Sequence, residues 1–197
     1  IYECNSGCIY VGNSKIDQLN LNLLRESIGY VPQDGYLFSG TIEENISFGN
    51  NEKITQQVKN SAKIAKIVSD TEKFQEGYKT FIGERGVQLS GGQRQRIAIA
   101  RAIYKSPSIF IFDDCLSAVD SEKEQHILSN LSKETSTRTT IIISHRISAI
   151  KNADIIIVLK DGEIIEQGTH RELINNHESY YQVFKKQTKE KTISIKK

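Results

Sequence analysis

Apolar residues fall along this chain in two rhythms, and the switches between them predict most of its elements. Short apolar runs at 28–31, 109–112, 139–143 and 153–160 have the length of strands. The run Ile109-Phe110-Ile111-Phe112 is apolar at every position, as a strand covered on both faces requires, and 139–143 is read as a second buried strand. A helical interval governs the stretches between. Ile97, Ala100 and Ile103 recur after the pair Gly91-Gly92, and Ile54, Val58, Ala62, Ala65 and Val68 form the stripe of a helix expected over 52–74. Residues 121–133 form a charged amphipathic helix. Near the start, 8–11 and 14–17 read as short strands and 19–25 as a short apolar-periodic connection. Asp161-Gly162 between two strand-like runs predicts a hairpin, and 185–197 a solvated, frayed end. No apolar run approaches the roughly 18 residues of a membrane-spanning helix.

The polar residues at the ends of these runs carry the candidate chemistry. Ser90-Gly91-Gly92-Gln93 opens a helix: Ser90 and Gln93 have capping-box spacing, and the glycines let backbone N–H groups approach an anion at the positive end of the helix dipole. A well-capped core helix with no ligand is the plainer reading of the same residues. Pro32 stops the first buried-type strand and leaves Gln33 at its C-terminal end, where open α/β sheets bind ligands. Asp113-Asp114 ends the run 109–112. Adjacent carboxylates there are costly unless they hold a cation, although a helix N-cap after a strand also favours aspartate. Ser144-His145-Arg146 ends the run 139–143. Two stretches imitate a phosphate-binding P-loop, from Gly7 to Ser14 and from Gly35 to Thr41, but both lack the lysine that reaches the phosphates.

The whole string from Leu89 through Ser90-Gly91-Gly92-Gln93 to Ala102 resembles the LSGGQ signature of ATP-binding cassette (ABC) ATPases. Pro32-Gln33-Asp34 resembles the family's Q-loop, Leu116-Ser117-Ala118-Val119-Asp120 its D-loop, and His145 its switch histidine. The segments 37–46, 80–86 and 168–174 are similar to those of exporter-type cassettes, with Phe81 where the family commonly has an acidic residue and Glu84 retained. The resemblance implies an α/β fold, a P-loop NTPase (RecA-like) core with an inserted helical subdomain. It divides the chain into a cassette over 1–187, with core at 1–34 and 106–187 and helical subdomain at 35–105, and a basic tail at 188–197. The true P-loop is expected upstream, so the cassette is read as incomplete at its N-terminus.

The implied cofactors are ATP and Mg2+. Asp114, His145 and Gln33 take catalytic roles, Asp113 and Gln33 approach the metal, and Ser90, Gly91, Gly92, Gln93 and Asp120 serve nucleotide at the site of a second cassette bound head to tail. Asp114 stands where the family's usual residue is glutamate. The other implied partner is a transmembrane domain, which places the cassette at the cytoplasmic face of the cell membrane.

Composition narrows this further. The chain has 197 residues, 38% hydrophobic and 25% charged, as a globular protein with a good core does. Lys+Arg 26 against Asp+Glu 24 leaves a net charge of +2, which offers no case for nucleic acid. Cys4, Cys8 and Cys115 lack metal-ligand spacing and read as free thiols. The chain contains no Met and is read as a fragment. Three readings remain open: the engine of a membrane exporter, a catalytically weak cassette that lends its signature to a partner's site, and a soluble ABC ATPase. The short interval from Gln33 to Leu89 leaves no room for the coiled-coil insertion of the repair ATPases and favours the first two.

Overall fold

The computed structural model describes residues 7–48, 56–83 and 88–195. Cys4, the expected helix start at 52–55 and Glu84 lie outside these residues. The described chain begins with an antiparallel ribbon, β1 (Tyr10–Val11) and β2 (Ser14–Lys15). The expected connection at 19–25 is a true helix, α1 (Leu21–Ser27), because the Asn20 side chain accepts from the N–H groups of Asn22 and Leu23 and so satisfies its first turn. β3 (Ile28–Val31) follows. Then come β4 (Gly40–Thr41) and α2 (Ile42–Ser47), which opens on a full capping box between Thr41 and Glu44.

The helix expected over 52–74 is interrupted. α3 (Gln56–Ile64) ends before Lys66, which adopts a left-handed φ of 56°; Lys66 N–H donates to Lys63 O and Ile67 N–H to Ala62 O. That is a Schellman termination on a residue other than glycine. It turns Ile67 into the core, where it is 1% exposed, and the chain resumes as α4 (Val68–Thr71). β5 (Phe81–Ile82) pairs with β4. After it come α5 (Gly91–Lys105), β6 (Ile109–Asp113), α6 (Ser121–Glu134), β7 (Thr139–Ile143) and α7 (Ile147–Ile150). The expected hairpin is β8 (Ile156–Lys160) and β9 (Glu163–Gly168), joined through Asp161 and Gly162 at φ 51° and 84°. α8 (His170–Asn176) starts on a Thr169–Glu172 capping box. α9 (Ser179–Ile195) runs on into the expected frayed end, since neither Gly nor Pro interrupts 179–195.

The central sheet of the described residues is parallel, in the order β3-β6-β7. Ile28 pairs with Ile109 and Val31 with Phe112; Ile109 in turn pairs with Thr139 and Asp113 with Ile143. Phe110 and Phe112 stack on each other on one face of β6 and join Val31, Ile97, Ile99, Ile103, Ile127 and the apolar residues of α2 and α3 in one core. The opposite face is less covered than the apolar run predicts: Ile109 and Ile111 are half-buried, and Ile141 and Ile143 of β7 are 47% and 53% exposed. β7 is an edge of the described sheet, so the reading of 139–143 as a buried strand is corrected. A smaller cluster, Ile147, Ile156, Leu173 and Tyr180, joins the hairpin to α7, α8 and α9. Among the described residues no helix is long and apolar enough to cross a membrane.

Candidate functional site

Parallel register carries three strand ends to one edge of the sheet. Asp113 closes β6, Asp114 follows it, Ser144 and His145 follow β7, and Gln33 lies two residues beyond β3. β6 ends at Asp113, and the left-handed turn at Asp114 gives the two carboxylates different partners. Asp113 accepts a hydrogen bond from Tyr30 Oη at 3.1 Å, and the Tyr30 phenol is pushed above its ordinary pKa, first by desolvation and then by that carboxylate.

Asp114 is buried and turns back on itself at φ 42°, a conformation that non-glycine residues rarely hold without a reason. Its N–H donates to Ile143 O at 2.8 Å, which extends the β6–β7 pairing by one bond. Oδ1 accepts from Ser144 Oγ at 3.4 Å. Oδ2 lies 3.4 Å from His145 Nε2 and accepts no hydrogen bond although it is buried. The His145 side chain itself is 74% exposed. Asp114 and His145 therefore meet at the open end of the sheet, while Asp113 is turned to Tyr30. The Gln33 residue is exposed at the neighbouring strand end, with its carbonyl accepting from Gln95 Nε2 at 3.0 Å.

The glycine-opened helix has the predicted cap. Ser90 N–H donates to Gln93 Oε1 at 2.9 Å and Gln93 N–H to Ser90 Oγ at 3.3 Å, while Ser90 remains exposed. Gln93 is tied inward as well, its Nε2 donating to Asp70 Oδ1 at 3.0 Å, and the same carboxylate holds Arg96 at 2.7 Å in a buried pair. Gly92 packs against the loop that leaves β6: a Cβ on it would lie 2.8 Å from Ala118 O. Asp120 ends that loop and caps α6, accepting from Lys123 N–H at 2.9 Å with Lys123 Nζ 3.2 Å away. The Lys123 amide is the first cause of its lowered pKa.

Sequence reasoning missed the residues that hold these loops. Gln95 lies within the signature string and Arg146 directly follows His145, yet local pattern assigns no role to either, or to Asp70 and Glu124, because only spatial proximity reveals what they hold. Cys115, beside Asp114, is buried and its thiol pushed up to about 12, by burial first and then by the Asp114 and Asp113 charges. Among the described residues no three His, Cys, Asp or Glu side chains form a ready metal cage. A cleft of about 420 Å3 lined by residues such as Asn60, Ile103 and Asn130 lies away from the strand ends.

A parallel sheet with carboxylates and a histidine at its C-terminal edge, beside a glycine-opened helix, is the open α/β arrangement that binds ligands at its strand ends, and similarity to known proteins defines it as the P-loop NTPase fold. A family profile described as ABC transporter matches residues 1–117, and the chain belongs to that family. It is 45% identical over 186 residues to ABC transporter B family member 4 of Dictyostelium discoideum, covering 94% of this chain and 24% of that protein. To Multidrug resistance protein 1 of Entamoeba histolytica it is 44% identical over 195 residues, 98% of this chain and 15% of that protein. A solved bacterial Atm1-family ABC exporter with ATP bound superposes with a TM-score of 0.89 at 40% identity, over 95% of this chain and 33% of that one. The chain thus spans a third or less of these relatives. It is an ABC nucleotide-binding domain similar to those of exporters.

Proposed function

We propose that this chain binds and hydrolyses ATP to power export of a substrate across a membrane, working at the cytoplasmic face of the cell membrane. The pairing of buried Asp114 with His145 at the sheet edge, one residue beyond the end of β6 at Asp113, carries the reading. Asp113, with Gln33 on the next strand end, offers the hard oxygen donors that suit Mg2+, and the orphaned Asp114 Oδ2 marks a place where a donor or cation is wanted. Asp113 and Gln33 would hold Mg2+, which would supply positive charge to offset that of the phosphates. Asp114 is the residue that orients the attacking water and takes its proton, and exposed His145 reaches toward the terminal phosphate. Ser90, Gly91, Gly92 and Gln93 open toward the site of a second cassette bound head to tail, with Asp120 at the same junction.

The surface for a transmembrane domain lies on the helical segments. Tyr36, Phe38 and Phe48 are exposed and meet edge to face, and Arg101 holds them in place by stacking on Phe38 and Phe48 while donating to Tyr36 O and Asn45 O. An exposed aromatic cluster braced by a guanidinium suits an apolar helix end.

One observation favours a second reading, a catalytically weak cassette that completes a partner's site. Asp114 has one methylene fewer than glutamate, and its carboxylate already sits beneath Ser144 and His145. A reacting group misplaced by about 1 Å can cost on the order of a hundredfold in rate. The deciding experiment expresses the full-length transporter that contains this chain, alone and with a candidate partner cassette, and compares ATPase rates. Strong turnover alone, abolished by Asp114→Asn, makes Asp114 a working base. Low turnover alone, high turnover with the partner, and a greater loss from Ser90→Arg than from Asp114→Asn support the second reading. No ATPase in either arrangement overturns both.

A further inference from the structure

We infer that Arg146, anchored by the buried carboxylate of Glu124, is a positioning residue that sets the loop 116–119 against the glycine-opened start of α5. The inference rests on the ATPase reading above and goes beyond it, because neither Arg146 nor Glu124 touches the strand-end cluster through its own charge. The Arg146 guanidinium donates to Ser117 O at 2.7 Å, to Leu116 O at 3.4 Å and to Val119 O at 3.5 Å, and pairs with Glu124 Oε2. Glu124 is 2% exposed, and its other oxygen accepts from Ser148 Oγ at 2.6 Å. Glu124 is buried while the Arg146 side chain stays 32% exposed, and a pair so placed adds little net stability, so its use lies in the single geometry it enforces. Only a planar fork reaches several carbonyls and a carboxylate at once; a lysine ammonium keeps the charge and loses the fork.

The same loop is held from the other side. Gln95, 5% exposed on α5, accepts from Ala118 N–H at 3.1 Å and donates to Ser117 Oγ at 3.3 Å. The loop's polar groups are thus shared between the segment that bears His145 and the helix that bears the signature. Contacts run without a gap from one to the other. Ser144 Oγ accepts from Arg146 N–H at 3.0 Å and donates to Asp114, Arg146 reaches Ser117 O, and Ala118 O lies where a Cβ on Gly92 would collide with it. A displacement at His145 therefore has a polar route to the signature glycines, through the guanidinium and the carboxamide, beside the apolar packing of Leu116 and Val119.

The test uses the full-length transporter with its partner cassette. ATP-binding sites are counted with a fluorescent ATP analogue, and kcat is expressed per site beside KM and the unfolding midpoint. Arg146→Lys should lower kcat per site by about tenfold, the scale of a sub-ångström misplacement, while the number of binding sites and the midpoint stay near wild type. Glu124→Gln, which removes the anchoring charge at similar volume, should lower kcat per site in the same way, and decides the matter if Arg146→Lys does not fold. Unchanged kcat per site in the folded variants overturns the inference, as does a rate loss matched by an equal loss of sites. Wild type without ATPase would instead overturn the functional reading on which the inference stands.

Discussion

Gly91 and Gly92 are neighbours in sequence and in the first turn of one helix, yet alanine should act on them in opposite directions. A Cβ on Gly92 would sit 2.8 Å from Ala118 O, and 3.6 and 3.7 Å from Ala118 C and Val119 Cα. These are backbone atoms in a loop gripped by Arg146 and Gln95, so the contact is not relieved by turning a side chain. Overpacking of this kind costs about 1–3 kcal/mol, against a helix-propensity gain of at most about 1 kcal/mol from replacing glycine. A Cβ on Gly91 would meet Ala118 Cβ at 3.4 Å and Arg94 Nη2 at 3.9 Å, which is ordinary contact, so only the propensity gain remains. The two variants should differ by about 1–3 kcal/mol, and at about 2–4 °C per kcal/mol for a domain of this size the difference is readable by calorimetry. Gly92→Ala should melt below Gly91→Ala, and Gly91→Ala at or slightly above wild type. A Gly92→Ala midpoint equal to or above that of Gly91→Ala would refute the close approach of loop and helix.

Thiol chemistry should separate the cysteines: in a Cys4→Ser background at pH 8, Cys8 reacts in the native protein, and Cys115, with its thiol near 12, reacts only after denaturation. Equal native labelling rates for both would contradict the burial of Cys115. Asp70→Ala strands the buried Arg96 guanidinium and frees Gln93, and should cost about 3–5 kcal/mol in urea unfolding, the scale of a broken buried pair; a change within experimental error would show that the pair is dispensable. The capping carboxylates of Glu44, Asp120 and Glu172 each have a lowered pKa, caused first by the N–H of Thr41, Lys123 and Thr169. A folded pKa below the unfolded value contributes stability above the ordinary carboxylate range and loses it as pH falls through the folded value. Wild type should therefore outlast the triple variant Glu44→Gln, Asp120→Asn, Glu172→Gln at pH 6, and the gap should close in acid; a gap independent of pH would remove charge from the explanation.

Local chemistry is what the sequence by itself determined. The Ser90–Gln93 cap, the Asp161-Gly162 turn and the strand that Pro32 ends each depend on residues within a few positions, so their spacing is enough to read them. The delivery of Asp113, Asp114 and His145 to strand ends was legible for the same reason, since an apolar run that stops at polar residues marks where a strand leaves the core. What the tertiary structure decided depends on contacts that no local pattern encodes. The helix over 52–74 breaks because Ile67 gains a place in the core, which outweighs the preference of Lys66 for a right-handed turn. Ile141 and Ile143 are exposed because covering a strand is a property of its neighbours, not of its own composition. Asp114 is left-handed and buried because Ile143 O and Ser144 hold it there. The grip of Arg146 on a loop nearly thirty residues earlier exists only once β6 and β7 lie side by side, for a long charged side chain has no fixed partner until folding supplies the carbonyls and the carboxylate that receive it.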